Sequence, residues 1–212
     1  MKKQNRQNNS RVQDLIVATK NIGKIREIQE ILNPFLWHVV PIGERVKVFE
    51  VEEDGLTYAE NAIKKARAAV LCSGKIAIAD DSGLEVDALD GAPGIYSARF
   101  GGEQLSQAEK NALLLRTLDE KSERSARFRC VLALVSPDGR ERIVEGVCEG
   151  EIGYEARGNY GFGFDPVFLV AGYQQTMAEL PPDVKNRISH RAKALQQLLS
   201  ILPLFEENCK KV

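Results

Sequence analysis

The 212-residue chain has only two histidines and four cysteines (Cys72, Cys130, Cys148 and Cys209). No cysteine stands in a CxxC pair, which argues against a zinc site or a redox dithiol; reduced thiols in a cytoplasmic protein are expected instead. No apolar run approaches the ~18 residues of a membrane helix. The opening MKKQNRQNNS lacks the apolar stretch of a signal peptide and reads as a disordered extension over residues 1–11, with one domain from Val12 to 212. Neither sign of charge is in excess: Lys and Arg total 29 against 30 for Asp and Glu. That balance offers nothing to a nucleic acid or a membrane surface, so basic residues must act locally. The glycine pattern of a Walker A loop and internal repeats are also missing.

What is present is ordinary in bulk, with 43% hydrophobic and 28% charged residues, as in a soluble globular protein. The order is more telling. DLIVAT (14–19) reads as a strand, and Ile22, Ile25, Ile28 and Ile31/Leu32 then recur at helical spacing. WHVVPI (37–42) is a second strand. Thr57 and Glu60 form a capping-box pattern for a helix that stops at Gly74, and KIAIA (75–79) is a strand ending at Asp80-Asp81. Ser106 and Glu109 cap another helix, expected to reach about Glu120. ARFRCVLALVS, the turn PDGR and ERIVEGVCEGEI predict a long hairpin. VFLV (167–170) is a last strand, and a helix from about Ser189 closes the chain. Strands alternating with helices, then a hairpin, predict a single α/β domain around a mixed sheet.

Four constellations carry chemistry. Thr19-Lys20-Asn21-Ile22-Gly23-Lys24 lies where the first strand turns into the first helix; free N–H groups and the helix dipole favour phosphate there, and Lys24 adds a full charge. A plain asparagine cap with a solvated lysine would use the same residues. In IADDSG, Asp80 and Asp81 follow an apolar strand, with Glu50, Glu52 and Glu53 upstream, a supply of oxygens suited to a hard cation. One carboxylate can also act as base toward a water. The alternative is a capped turn, and the DSG loop of aspartic proteases would need a second copy or a small all-β dimer. In GNYGFGFDPVF, glycines at 158, 161 and 163 alternate with Tyr160, Phe162 and Phe164, whose rings can stack on a base. Lys185, His190 and Arg191 flank Ser189, an N-cap that places His190 and Arg191 in a first helical turn, where the dipole opposes cations unless an anion or carbonyl arrives. All four fit a nucleoside polyphosphate.

On TKNIGKIREI, EEDGLTYAENAIKKA, ADDSGLEVDALDGAPGIYSARF, GFGFDPVF, TMAEL and KNRISHRAKAL, in that order, the chain resembles the inosine triphosphate pyrophosphatase family. The match spans nearly the whole folded chain. The resemblance implies an elongated α/β domain with two lobes and a cleft between them, commonly a homodimer. It implies hydrolysis of deaminated purine nucleoside triphosphates between the α and β phosphates, with magnesium, replaceable by manganese. The segment Thr19–Lys24 would hold the triphosphate, Glu52 and Asp81 the metal, and Asp81 would also be the base, with Ser82 beside the phosphates. Phe162 would stack on the purine, in the loop with Gly163 and Phe164, while Asp165, Lys185, His190 and Arg191 would line the nucleoside end. Because arginine offers donors only, Arg191 is expected to read the carbonyl at purine position six. Phe164 stands where the family usually has tyrosine, so a hydroxyl is lost and a ring kept. A nucleotide-binding regulator without turnover would need Lys24 and the aromatics but not Asp81 or Glu52. A Maf-type pyrophosphatase would not be expected to carry SHR after KN.

Overall fold

A computed structural model describes residues 13–35 and 37–206; the expected extension over residues 1–11 lies outside the described residues. The elements run β1 (Gln13–Val17), α1 (Ile22–Leu32), β2 (Trp37–Pro41), α2 (Tyr58–Ser73), β3 (Ala77–Val86), α3 (Gln107–Thr117), β4 (Ser125–Val135), β5 (Glu141–Ile152), β6 (Phe168–Val170), α4 (Pro182–Ile188) and α5 (His190–Glu206). They build one mixed sheet in the order β2-β1-β3-β4-β5-β6, in which β1 runs parallel to β2 and β3 and the remaining pairs are antiparallel.

Local signals set the boundaries. The Asn21 side chain accepts from the Lys24 N–H, and reciprocal capping boxes open α2 at Thr57–Glu60 and α3 at Ser106–Glu109. Gly74 ends α2 with a φ of 64°, a left-handed conformation that costs glycine nothing. The helix α3 stops at Thr117, short of the expected Glu120.

Strand alternation sorts the core onto two faces. Leu15, Val17, Ile78, Leu132 and Leu134 pack with Ile28 and Leu32 of α1 and with Leu195, Leu198 and Leu202 of α5. Ile16, Ala18, Ala77, Ala79 and Ala133 pack with Ala62, Ala66 and Ala69 of α2, whose small side chains let the helix lie close to the sheet. Each fully buried Leu or Ile contributes about 1.5–3 kcal/mol. A third cluster, with Leu84, Leu114, Phe128, Phe164 and Phe168, fills the other end of the sheet.

Two expectations are corrected. The strand expected to end at Asp80 continues to Val86, because β4 pairs with it along its whole length, from Ala77↔Val135 to Val86↔Ala126. Ladder hydrogen bonds override the turn preference of Asp, Ser and Gly. Before Ser189 there is also α4, opened by Pro182 in its first turn.

Candidate active site

Two neighbours hold β3 at its start, but β1 reaches only Ile78 before it stops at Val17. Beyond that point this edge of β3 has no strand beside it, only a bridge at Glu85↔Pro93. The 3-10 segment Gly94–Arg99 crosses near it, with the Leu84 N–H donating to Ser97 Oγ at 2.8 Å. Between this strap, the α1 N-terminus and the acidic loop at Glu50–Glu53 lies a cleft of about 1140 Å³. It sits outside the carboxyl end of β1, where open α/β sheets usually take ligands. Every member of the expected site set lines it except Ile22 and Gly23. Ile22 is exposed at the first position of α1. Gly23 matters through space: a Cβ there would come within 2.5 Å of the Phe162 ring, so its bareness lets that ring lie against α1.

Adjacent residues on a strand face opposite sides, and this separates the two aspartates. Asp80 takes the α1/α5 side, where its carboxylate meets Lys24, accepts from Arg191 Nε at 2.7 Å and from Ser82 Oγ at 2.8 Å, and touches the Cys130 thiol. Burial pushes the Asp80 carboxyl up, but Arg191 and Lys24 together hold it well below the usual carboxylate range. Asp81 takes the α2 side. Lys65 Nζ lies 2.9 Å from its Oδ1 and also 2.7 Å from Glu53, and Asn61 donates to Oδ2 at 3.4 Å. Here burial outweighs Lys65, and the Asp81 carboxyl is raised. Each of the two adjacent acids thus has its own basic partner from the chain.

Arg191 is 1% exposed and donates to Asp80, Glu27 and Ser82. Glu27 also receives Lys185 at 2.8 Å, and Lys185 pairs with the buried Asp165. Asp165 accepts from the Phe162 N–H at 2.8 Å, which fixes the aromatic loop. The Phe162 ring has Lys185 Nζ 4.8 Å and the Arg191 guanidinium 5.7 Å from its centroid. Phe164 is buried edge-on to Phe100. Ser189 caps α5 by accepting from the Ala192 N–H, as expected, but the cations of that turn differ from expectation. Burial pushes His190 well below its ordinary value, so it is neutral, stacked on Phe128 with Nδ1 unpaired.

Lys65 and Glu27 escaped the sequence reading. Both signals were there: each is a charged residue on the stripe its helix buries, Lys65 three positions after Ala62 and Glu27 beside Ile28. Toward a divalent cation, Glu52 and Asp81 offer hard carboxylate oxygens on the cleft wall. The described residues hold no group of three or more His, Cys, Asp or Glu able to cage a metal. That donor set fits magnesium, which typically takes one or two carboxylates and completes its shell with phosphate oxygens and water.

A family model described as the Ham1 family matches residues 15–201. The chain belongs to the Ham1 family. Among relatives of this Ham1-family chain, a dITP/XTP pyrophosphatase of Desulforamulus reducens is 54% identical, the match covering 89% of this chain and 94% of that protein. A dITP/XTP pyrophosphatase of Bacillus subtilis is 48% identical, covering 90% and 98%. The solved structure of a HAM1 protein from Coxiella burnetii superposes with a TM-score of 0.82 at 44% identity, over 90% of this chain and 98% of that one. The Staphylococcus aureus Ham1 protein gives 0.81 at 42%, with the same coverage.

Proposed function

We propose that this Ham1-family chain hydrolyses deaminated purine nucleoside triphosphates to the monophosphate and pyrophosphate, with Asp81 as the base. The observation that carries the reading is Asp81 itself, a carboxylate on the cleft wall whose proton affinity burial raises while Lys65 and Asn61 fix its orientation. A base of raised pKa at hydrogen-bond reach of a water suits attack on a phosphate. Glu52 and Asp81 would hold magnesium, or manganese in its place. A cation bound there would polarise phosphate oxygens and offset the charge of the triphosphate. Thr19, Lys20, Asn21 and Lys24, with the N–H groups of Ile22 and Gly23 at the α1 N-terminus, would receive phosphates, and Ser82 lies beside them. Phe162 would stack on the purine, with Gly163 and Phe164 shaping its loop. We further read residues 12–212 as one catalytic domain of a cytoplasmic homodimer. No helix among the described residues is long and apolar enough to cross a membrane.

Inosine and xanthosine carry a carbonyl at position six where adenosine carries an amino group. Lys185 and Arg191 are donors only, so any N–H they keep beyond Asp165, Glu27, Asp80 and Ser82 suits a carbonyl and not an amino group. That mismatch costs on the order of 3–5 kcal/mol in a dry pocket. Because Arg191 also holds Asp80 and Glu27, Arg191→Lys is a cleaner test than truncation: the preference for inosine over adenosine triphosphate should narrow.

Incubation with magnesium and a panel of nucleoside triphosphates, with pyrophosphate and orthophosphate measured separately, tests the reaction. Pyrophosphate should appear from inosine and xanthosine triphosphates, and chelating the magnesium should stop it. Orthophosphate without pyrophosphate would overturn α–β cleavage. Gly23→Ala should expel the Phe162 ring from its place on α1. Base stacking contributes about 1–3 kcal/mol, so KM for inosine triphosphate should rise severalfold while binding of inorganic tripolyphosphate holds. Equal losses for both ligands would place Phe162 away from the base.

A further inference from the structure

A triphosphate brings several negative charges, yet most basic groups on the cleft wall are already committed. Lys24 is paired with Asp80, Lys65 with Asp81 and Glu53, Lys185 with Asp165 and Glu27, and Arg191 with Asp80 and Glu27. Drawing any of these away would strip a buried or half-buried carboxylate of its partner. Among the described residues, the cleft-lining cations with no carboxylate in ion-pair range are Lys20, Arg99 and Lys110. Lys20 belongs to the phosphate corner already assigned. Arg99 and Lys110 lie across from it, on the strap and on α3.

Their surroundings are those of cations awaiting an anion. Arg99 is exposed, lies over the Tyr96 ring at 5.6 Å, and donates one bond of 3.2 Å to the carbonyl of Glu53. The rest of its guanidinium fork is open. Lys110 is 7% exposed, and its ammonium donates to the carbonyl of Ala98, the residue before Arg99. A buried ammonium usually has a carboxylate; this one has a carbonyl and a cleft. The Glu53 carboxylate in turn reaches Lys65, which holds Asp81. Arg99 thus enters the cleft from the acidic-loop side of Asp81, whereas Lys185 enters from α4 and Phe162 from the loop before β6 that packs on α1.

We propose that Arg99, supported from behind by Lys110, binds the terminal phosphates that leave as pyrophosphate. A guanidinium fork matches two phosphate oxygens at once. The assignment rests on the α–β cleavage proposed above, and it gives the leaving group a receptor separate from that of the nucleoside.

Calorimetry on the full chain tests it, with magnesium pyrophosphate and inosine monophosphate as separate probes, alongside kcat and KM for inosine triphosphate. Arg99→Gln should weaken pyrophosphate binding about ten- to hundredfold and raise KM, with monophosphate affinity unchanged; Arg99→Lys should recover part of the loss. Unchanged pyrophosphate affinity in Arg99→Gln, in a wild-type protein that releases pyrophosphate, removes the Arg99 assignment and leaves the reaction standing. Equal weakening of both probes would show that Arg99 merely braces the acidic loop. A wild-type protein that neither binds pyrophosphate nor releases it overturns both readings.

Discussion

Asp81→Asn should lower single-turnover hydrolysis of inosine triphosphate by about 10²–10⁴-fold while nucleotide binding, read by calorimetry, stays within a few fold. The amide keeps the size of the carboxylate and can still meet Asn61, but it cannot take a proton and is a poor ligand for a hard cation. The pH dependence carries a second mark. Burial raises the Asp81 carboxyl above its ordinary value despite Lys65. In the metal-free protein the base form therefore fills as pH climbs through that raised value. Bound magnesium favours the ionised form and moves the limb of kcat to lower pH. Asp81→Asn should lose the limb together with the rate. Near-normal hydrolysis by the variant would refute Asp81 as base.

Asp80→Asn should instead be a stability variant. Asp80 is wholly buried between Arg191, Lys24 and Ser82. Removing one partner from such a group leaves uncompensated buried charge, a loss of about 3–5 kcal/mol. In a protein of this size that lowers Tm by about 10 °C. The sign with pH follows from the depressed Asp80 pKa. Its stabilisation is fully present above the unfolded value, about 3.9, and is lost as pH falls through the lower folded value. The stability gap between wild type and variant should therefore close in acid. A gap of constant size from pH 7 to pH 3 would show that Asp80 matters by shape alone. Activity lost without any change in unfolding would move Asp80 into the chemistry.

Much of this was legible in the sequence because the signals were local. Capping boxes at Thr57 and Ser106, Gly74 as a helix stop, and apolar spacing in α1 each depend on residues within one or two turns. The hairpin was legible from two long β-rich runs around PDGR. The aspartates were found but misplaced in the chain's geometry. Asp80 to Gly83 carry turn preferences, and only the long-range pairing with β4 turns them into strand. Charge partners were the least accessible. Arg191 and Asp80 are 111 residues apart, and nothing near either residue announces the other. The partners of Glu27, which bridges Arg191 and Lys185, are set only once α1 meets α4 and α5.

The strap explains one more feature of β3. A Cβ on Gly83 would meet the Gly94 carbonyl at 2.1 Å and the Tyr58 hydroxyl at 2.7 Å, so this position accepts no larger residue. Gly83 thereby acts as an alignment mark. If β3 slipped by one residue against β4, Ser82 or Leu84 would be driven into Gly94, while Asp80 and Asp81 would exchange faces. The proposed base would then enter the cage of Arg191, and the structural aspartate would meet Lys65. A single-residue insertion or deletion between Ile78 and Gly83 is thus a swap of two roles as well as a packing fault. The exposed turn at Pro137–Gly139, where the same hairpin reverses, imposes no such parity on changes of length.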